Sequence, residues 1–115
     1  MENPLFTMII FLVSGLTIAG VSQPLIRNKI KPNRYYGFRV PKTLKNEEVW
    51  YKANSYSGQV LSIAGWITAV SSLLFYPLVW IPHHGFMIYS AVCPVIFVSS
   101  VTWAVVLSFR YLNKL

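Results

Sequence analysis

Uncharged apolar runs recur three times along the chain. They cover residues 5–25, 58–81 and 86–109, and none of them contains Asp, Glu, Lys, Arg or His. A bilayer core about 30 Å thick needs about 20 helical residues, and each run supplies that length. The pattern predicts an all-α membrane protein with three transmembrane helices in a single domain over residues 1–115.

The connections between the runs differ in length. The second and third runs are joined by the four-residue turn Pro82–Gly85, which predicts an antiparallel helical hairpin. The first and second are joined by the much longer segment 26–57. The start, Met1–Pro4, carries no Lys or Arg, so we expect the first run to be a retained helix and not a cleaved secretory signal.

Small residues recur on one face of each predicted helix, at spacings of three and four. Such strips let membrane helices approach closely. They predict packing of the three helices on one another or on a second copy of the chain, two alternatives that the pattern leaves open. The strips are Gly15 and Ala19 in the first run, Gly58, Ser62, Gly65, Ala69 and Ser72 in the second, and Ser100, Ala104 and Ser108 in the third.

Charge is scarce and concentrated. The chain is 55% hydrophobic and 11% charged, with a formal net charge of +7, and eight of its ten Lys and Arg lie within residues 26–52. Under the positive-inside rule, segment 26–57 and the C-terminus are cytoplasmic, and the N-terminus is outside. A basic segment between two spans is expected to face anionic lipid headgroups, so we predict no nucleic-acid partner.

Segment 26–57 is expected to be folded, because it is rich in aromatic residues and carries turn-forming Gly37 and Pro41. Asn46 followed by two glutamates indicates a helix start that continues into the second span. On that helix, Glu48 and Lys52 are placed for an i, i+4 ion pair.

Candidate chemistry elsewhere is sparse. Cys93 is the only cysteine, and His83 and His84 stand in a tight turn with no carboxylate beside them. The lack of ionisable residues in the three runs argues against a proton relay, an ion pump or an intramembrane protease. We therefore expect no metal, no cofactor and no enzymatic activity. Pro94 predicts a tolerated kink in the third helix.

The loop carries a recognisable motif, Tyr36-Gly-Phe-Arg-Val-Pro-Lys-Thr43 followed by Asn46-Glu-Glu-Val-Trp-Tyr-Lys-Ala-Asn54. It resembles the signature of the SdpI family of small bacterial membrane proteins, in which a Gly-x-Arg-x-Pro turn precedes an acidic residue, a tryptophan and a helix entering the next span. The chain looks like the C-terminal three-span module of that family.

The resemblance implies a function and a set of residues. The best-known family member is an immunity protein against a membrane-active killing peptide, which also sequesters a cytoplasmic repressor. We therefore expect a protein of the bacterial cytoplasmic membrane that binds lipids, a toxin peptide and a cytoplasmic protein partner. The alternatives are a role in membrane-linked signalling, a homo-oligomeric transport or channel-like subunit, and a lipid-headgroup-binding protein. Motif matching implies a ligand or partner site at Gly37, Arg39, Pro41, Thr43, Glu48, Trp50 and Asn54.

Two residues of this set carry the strongest expectation. Arg39 and Glu48 would form a buried ion pair, or would provide a site for an anionic group.

Overall fold

The computed structural model of the chain describes residues 3–115, and residues 1 and 2 of the predicted domain lie outside the described residues. Three helices are long and apolar enough to cross a membrane. Within the described part there is no β-strand, so the all-α membrane fold class is confirmed. The α-helices are α1 (Pro4–Ile26), α2 (Pro41–Lys45), α3 (Glu47–Leu74) and α4 (Gly85–Leu112).

The second candidate span ends at Trp80, close to the predicted residue 81, but the α-helix within it ends earlier. Helix α3 stops at Leu74, and Tyr76–Trp80 forms a short 3-10 helix instead of continuing to residue 81. Pro77 explains the change, because it has no N–H to donate and its ring disfavours the α conformation of Tyr76. A short turn follows the 3-10 helix before α4 begins at Gly85.

Helix α4 runs through Pro94 without interruption. Proline at this position leaves the Ser90 carbonyl, one turn earlier, without its helical donor. The nearby Ser90 hydroxyl is itself buried without a hydrogen-bond partner among the described residues.

The small-residue strips meet inside one chain. All their members are buried, and α3 packs against both α1 and α4. A Cβ added to Gly65 would lie 2.5 Å from the Gly15 carbonyl oxygen, so these two backbones touch with no room for a side chain. Of the two packing alternatives, the structure shows the intramolecular one.

Helices α3 and α4 are joined along their whole length. Val60, Ala64 and Ala104 form a buried apolar cluster near the loop end. Near the opposite end, the Tyr89 hydroxyl donates to the Ser72 carbonyl at 2.6 Å. Helices α1 and α4 contact each other much less than either contacts α3. A groove therefore remains between α1 and α4 on one side of α3.

Candidate functional site

Trp50 anchors the loop between α1 and α2 onto the first turns of α3. Its side chain is fully buried, and its indole Nε1 donates to the Ile30 carbonyl at 2.8 Å. The local helix begins where the sequence predicts, because the Asn46 side chain accepts from the backbone amides of Glu48 and Val49. The cap sets the start of α3 and thereby places Trp50 beneath the loop.

Asn54, one helical turn after Trp50, holds the second half of the loop. Its side chain is 1% exposed, and its Oδ1 accepts from the Phe38 amide at 2.6 Å. Its Nδ2 donates to the Trp50 carbonyl at 3.0 Å and to the Phe38 carbonyl at 3.3 Å. One amide side chain thus satisfies both backbone groups of a loop residue, a role that a purely apolar side chain could not fill.

Gly37 lies directly against this pair. Its φ of +111° lies in a region that residues with a Cβ rarely adopt. A Cβ there would also approach Asn54 Oδ1 to 2.7 Å. Both the backbone conformation and the space require glycine.

Thr43 closes the same structure from α2. It is fully buried, and its Oγ1 accepts from the Val40 amide at 3.0 Å while lying 2.9 Å from the Phe38 carbonyl, to which it donates. Pro41 is the first residue of α2, where its fixed φ suits a helix start. We call Gly37, Pro41, Thr43, Trp50 and Asn54 the loop lock.

Arg39 and Glu48 lie outside the loop lock, and the predicted buried ion pair between them is wrong. Glu48 pairs with Lys52 at 2.8 Å, with side chains 73% and 53% exposed. The Arg39 guanidinium donates instead to the Arg34 carbonyl at the surface. Lys52 is one turn away on the same helix, so it reaches Glu48 without ordering the loop. The other interpretation of Arg39, as a site for an anionic group, stays a prediction.

Lys42 links the loop to α4. Its ammonium donates to the Leu112 carbonyl at 2.9 Å, at the C-terminal end of α4, where the helix dipole favours a positive charge. Close by, the Phe38 and Phe109 rings meet edge to face, with centroids 5.0 Å apart. Lys42 lies within the quoted motif but was not among the site residues taken from it, because a contact with a residue 70 positions away leaves no local signal in the sequence.

The groove between α1 and α4 lies directly below the loop and has a cavity volume of about 340 Å³. Tyr36, Gly37 and Phe38 line its loop end, and the Tyr36 hydroxyl donates to the Val21 carbonyl of α1. The other lining residues are mostly apolar side chains of the three long helices. Sequence reasoning missed the groove, since its existence depends on how far apart α1 and α4 stand.

The histidines and the cysteine do not assemble a metal site in the described range. Over residues 3–115, no three His, Cys, Asp or Glu side chains come together as metal ligands could. His83 has a φ of +70° in the turn before α4, and Cys93 is buried in that helix. The expectation of no cofactor stays a prediction.

Comparison with known proteins gives one family. The sequence profile of the SdpI/YfhL protein family matches residues 29–109. The match begins in the loop and runs through α2, α3 and most of α4. No curated protein and no solved structure matches the chain.

Proposed function

The chain belongs to the SdpI/YfhL protein family, and from this membership we propose that it is a non-enzymatic immunity protein. In this proposal it protects a bacterial cell from a membrane-active peptide and docks a cytoplasmic protein partner on its basic loop. In this proposal the N-terminus lies outside and the loop and C-terminus face the cytoplasm, an orientation that the positive-inside rule predicts from the distribution of Lys and Arg.

The observation that carries the proposal is the loop lock. Trp50, Asn54 and Thr43 hold the loop by hydrogen bonds to its backbone, so its side chains are free to face outward. A loop that is already ordered in the folded protein pays no further conformational entropy when it binds a partner, and this increases the binding affinity. The exposed cations between α1 and α3 are Arg27, Lys29, Lys31, Arg34, Arg39, Lys42 and Lys45.

Arg39 is the best-placed recognition residue on this surface. Its guanidinium is exposed and is oriented by the Arg34 carbonyl, which leaves most of its donors available to an anionic group. We therefore assign Arg39 to partner contact, and Trp50 to the positioning of the loop that presents it.

The test is a survival assay. The chain is expressed in a toxin-sensitive strain without its own immunity gene, purified killing peptide is added, and survival and membrane potential are recorded. We expect protection by the natural chain and its loss in Arg39→Gln, with Lys114→Gln, outside the loop, as the control for an exposed cation. We also expect loss in Trp50→Ala, with the half-exposed Trp103 changed to Ala as its control.

Two results would overturn parts of the proposal. Normal membrane insertion of the natural chain without any protection would exclude the immunity function. Full protection by both Arg39→Gln and Trp50→Ala would leave immunity standing but remove the loop from it. Immunoblots of the membrane fraction show that each variant is inserted at a normal level.

The homo-oligomeric transport alternative gains no support from the fold. Its argument from sequence was the small-residue strips, and these are buried between helices of one chain.

A further inference from the structure

The groove between α1 and α4 has the form of a ligand site with one closed end. Leu61 and Ser57 of α3 form its floor, Val21 and Val105 belong to its two walls, and residues 36–38 cover its loop end. Its volume of about 340 Å³ falls at the lower end of the range for small-molecule sites. An unbranched hydrocarbon chain matches an elongated, mostly apolar space of this size.

Ser57 supplies a polar group inside this apolar groove. Its side chain is 6% exposed and lines the groove, yet its hydroxyl takes part in no hydrogen bond with any residue in 3–115. The two other serines that line the groove are satisfied by their own helices, Ser22 through the Ile18 carbonyl at 2.7 Å and Ser108 through the Ala104 carbonyl at 2.8 Å. Among the described residues only the Ser90 hydroxyl is fully buried without a partner, so the Ser57 hydroxyl is accessible from the groove and can donate to an acceptor that enters it.

The depth of Ser57 indicates what that acceptor is. Ser57 directly precedes the predicted second span 58–81, and on that prediction it lies where the hydrocarbon core gives way to the polar interface. Phospholipids carry their acyl ester carbonyls at this level, between the hydrocarbon chains and the phosphate.

Two exposed arginines directly follow, in the sequence, two residues that line the groove. Phe38 and Phe109 line the groove and touch each other, and each is followed by an exposed arginine, Arg39 and Arg110. Arginine binds phosphate through paired N–H donors, and cations at the membrane surface favour anionic over zwitterionic lipids.

From these features we propose that the groove is a binding site for one anionic phospholipid. One acyl chain lies between α1 and α4, its ester carbonyl accepts from the Ser57 hydroxyl, and its phosphate lies between Arg39 and Arg110. The lipid completes the contact that α1 and α4 do not make with each other. This proposal does not rest on the proposed immunity function: the two share Arg39, whereas the groove residues Ser57 and Val105 belong to the lipid site alone.

The test measures lipid retained by the purified protein. The chain is reconstituted in vesicles of equal parts phosphatidylglycerol and phosphatidylethanolamine and extracted in mild detergent, and bound lipid is counted by native mass spectrometry. We expect one phosphatidylglycerol per chain. Replacement of both Arg39 and Arg110 by Gln is expected to reduce the preference for phosphatidylglycerol at least about fivefold, the factor for about 1 kcal/mol. Replacement of Lys45 and Lys114 by Gln is the control.

A second pair of variants tests the groove itself. Val105→Trp fills the space and should remove the retained lipid, whereas Val106→Trp, on the neighbouring exposed position, should keep it. Ser57→Ala should reduce retention while leaving the thermal unfolding temperature close to that of the natural chain. Unfolding curves of all variants separate loss of lipid from loss of fold.

Three outcomes would overturn the proposal. One is retention of phosphatidylglycerol no greater than that of phosphatidylethanolamine. Another is equal retention by Val105→Trp and Val106→Trp. A third is the absence of retained lipid on the natural chain. If Val105→Trp, but not Val106→Trp, then also lost protection in the survival assay, the groove would be a binding site for the peptide. Failure of the survival assay with normal lipid retention would refute only the immunity function.

Discussion

Asn54→Ala tests whether one buried amide side chain holds the basic loop closed. The substitution removes the acceptor of the Phe38 amide and the donor to the Trp50 and Phe38 carbonyls. The Phe38 carbonyl keeps its bond from Thr43, so the main loss is the orphaned Phe38 amide. An unsatisfied buried amide costs about 1–3 kcal/mol, and since this bond is only partly buried we expect about 1–2 kcal/mol.

Limited trypsin digestion in mild detergent measures how often the loop opens, through the rate at which the loop is cleaved. The loop segment 26–52 holds eight Lys and Arg, so trypsin has many cleavage sites once the loop opens. When opening and closing are fast, the cleavage rate follows the open population, and about 1–2 kcal/mol corresponds to about 5- to 30-fold faster cleavage. Cleavage rates proportional to the trypsin concentration would show that the loop opens and closes faster than trypsin cleaves it.

Asn113→Ala is the matched control, because Asn113 is an exposed asparagine beyond the end of α4. Exposed substitutions change stability by at most about 0.5 kcal/mol, which is about twofold in rate. If Asn54→Ala were cleaved at a rate within this margin of Asn113→Ala, the Asn54 hydrogen bonds would not be what closes the loop.

Two further predictions concern the packing of α1 and the exposed ion pair. Gly65→Leu should destabilise the protein by at least about 1–3 kcal/mol and lower its thermal unfolding temperature in detergent, because the new Cβ would meet the Gly15 carbonyl. Gly20→Leu should not lower it, because nothing lies within 4 Å of the Cβ position of Gly20. Equal unfolding curves for the two variants would contradict the close helix contact. Glu48→Gln and Glu47→Gln should have the same unfolding temperature, because exposed i, i+4 ion pairs add little stability. A clear drop for Glu48→Gln alone would show that the Glu48 carboxylate has a partner other than Lys52.

The features that local sequence dictates were predictable. The three spanning helices follow from uninterrupted apolar runs, and the buried strips follow from the spacing of small residues. The Asn46 cap and the Glu48–Lys52 pair both lie within one helical turn and needed no knowledge of the fold. The end of α3 was also readable, because Pro77 marks it, but the continuous hydrophobicity through residue 81 masked that signal.

The candidate site was predictable only as a set of residues. The motif pointed to Gly37, Trp50 and Asn54, but not to what each one does, because their partners are backbone atoms of the loop. The expected pairing of Arg39 with Glu48 failed for the same reason: opposite charge alone does not identify a partner when Lys52 is one turn away. The Lys42 contact with Leu112 and the groove arise only from tertiary packing.

Helix α3 is one continuous helix that is long enough to cross the membrane. Its 28 residues give a length of about 42 Å, which exceeds the bilayer core. Its first turns carry Trp50 and Asn54 under the loop, and its last turn offers the Ser72 carbonyl to Tyr89 on the far side. Between these ends, the direct backbone contact of Gly15 with Gly65 and the packing on α4 hold α3 in place against both neighbouring helices. The anchoring of the basic loop and the tyrosine contact at the opposite end of the bundle therefore depend on one continuous helix.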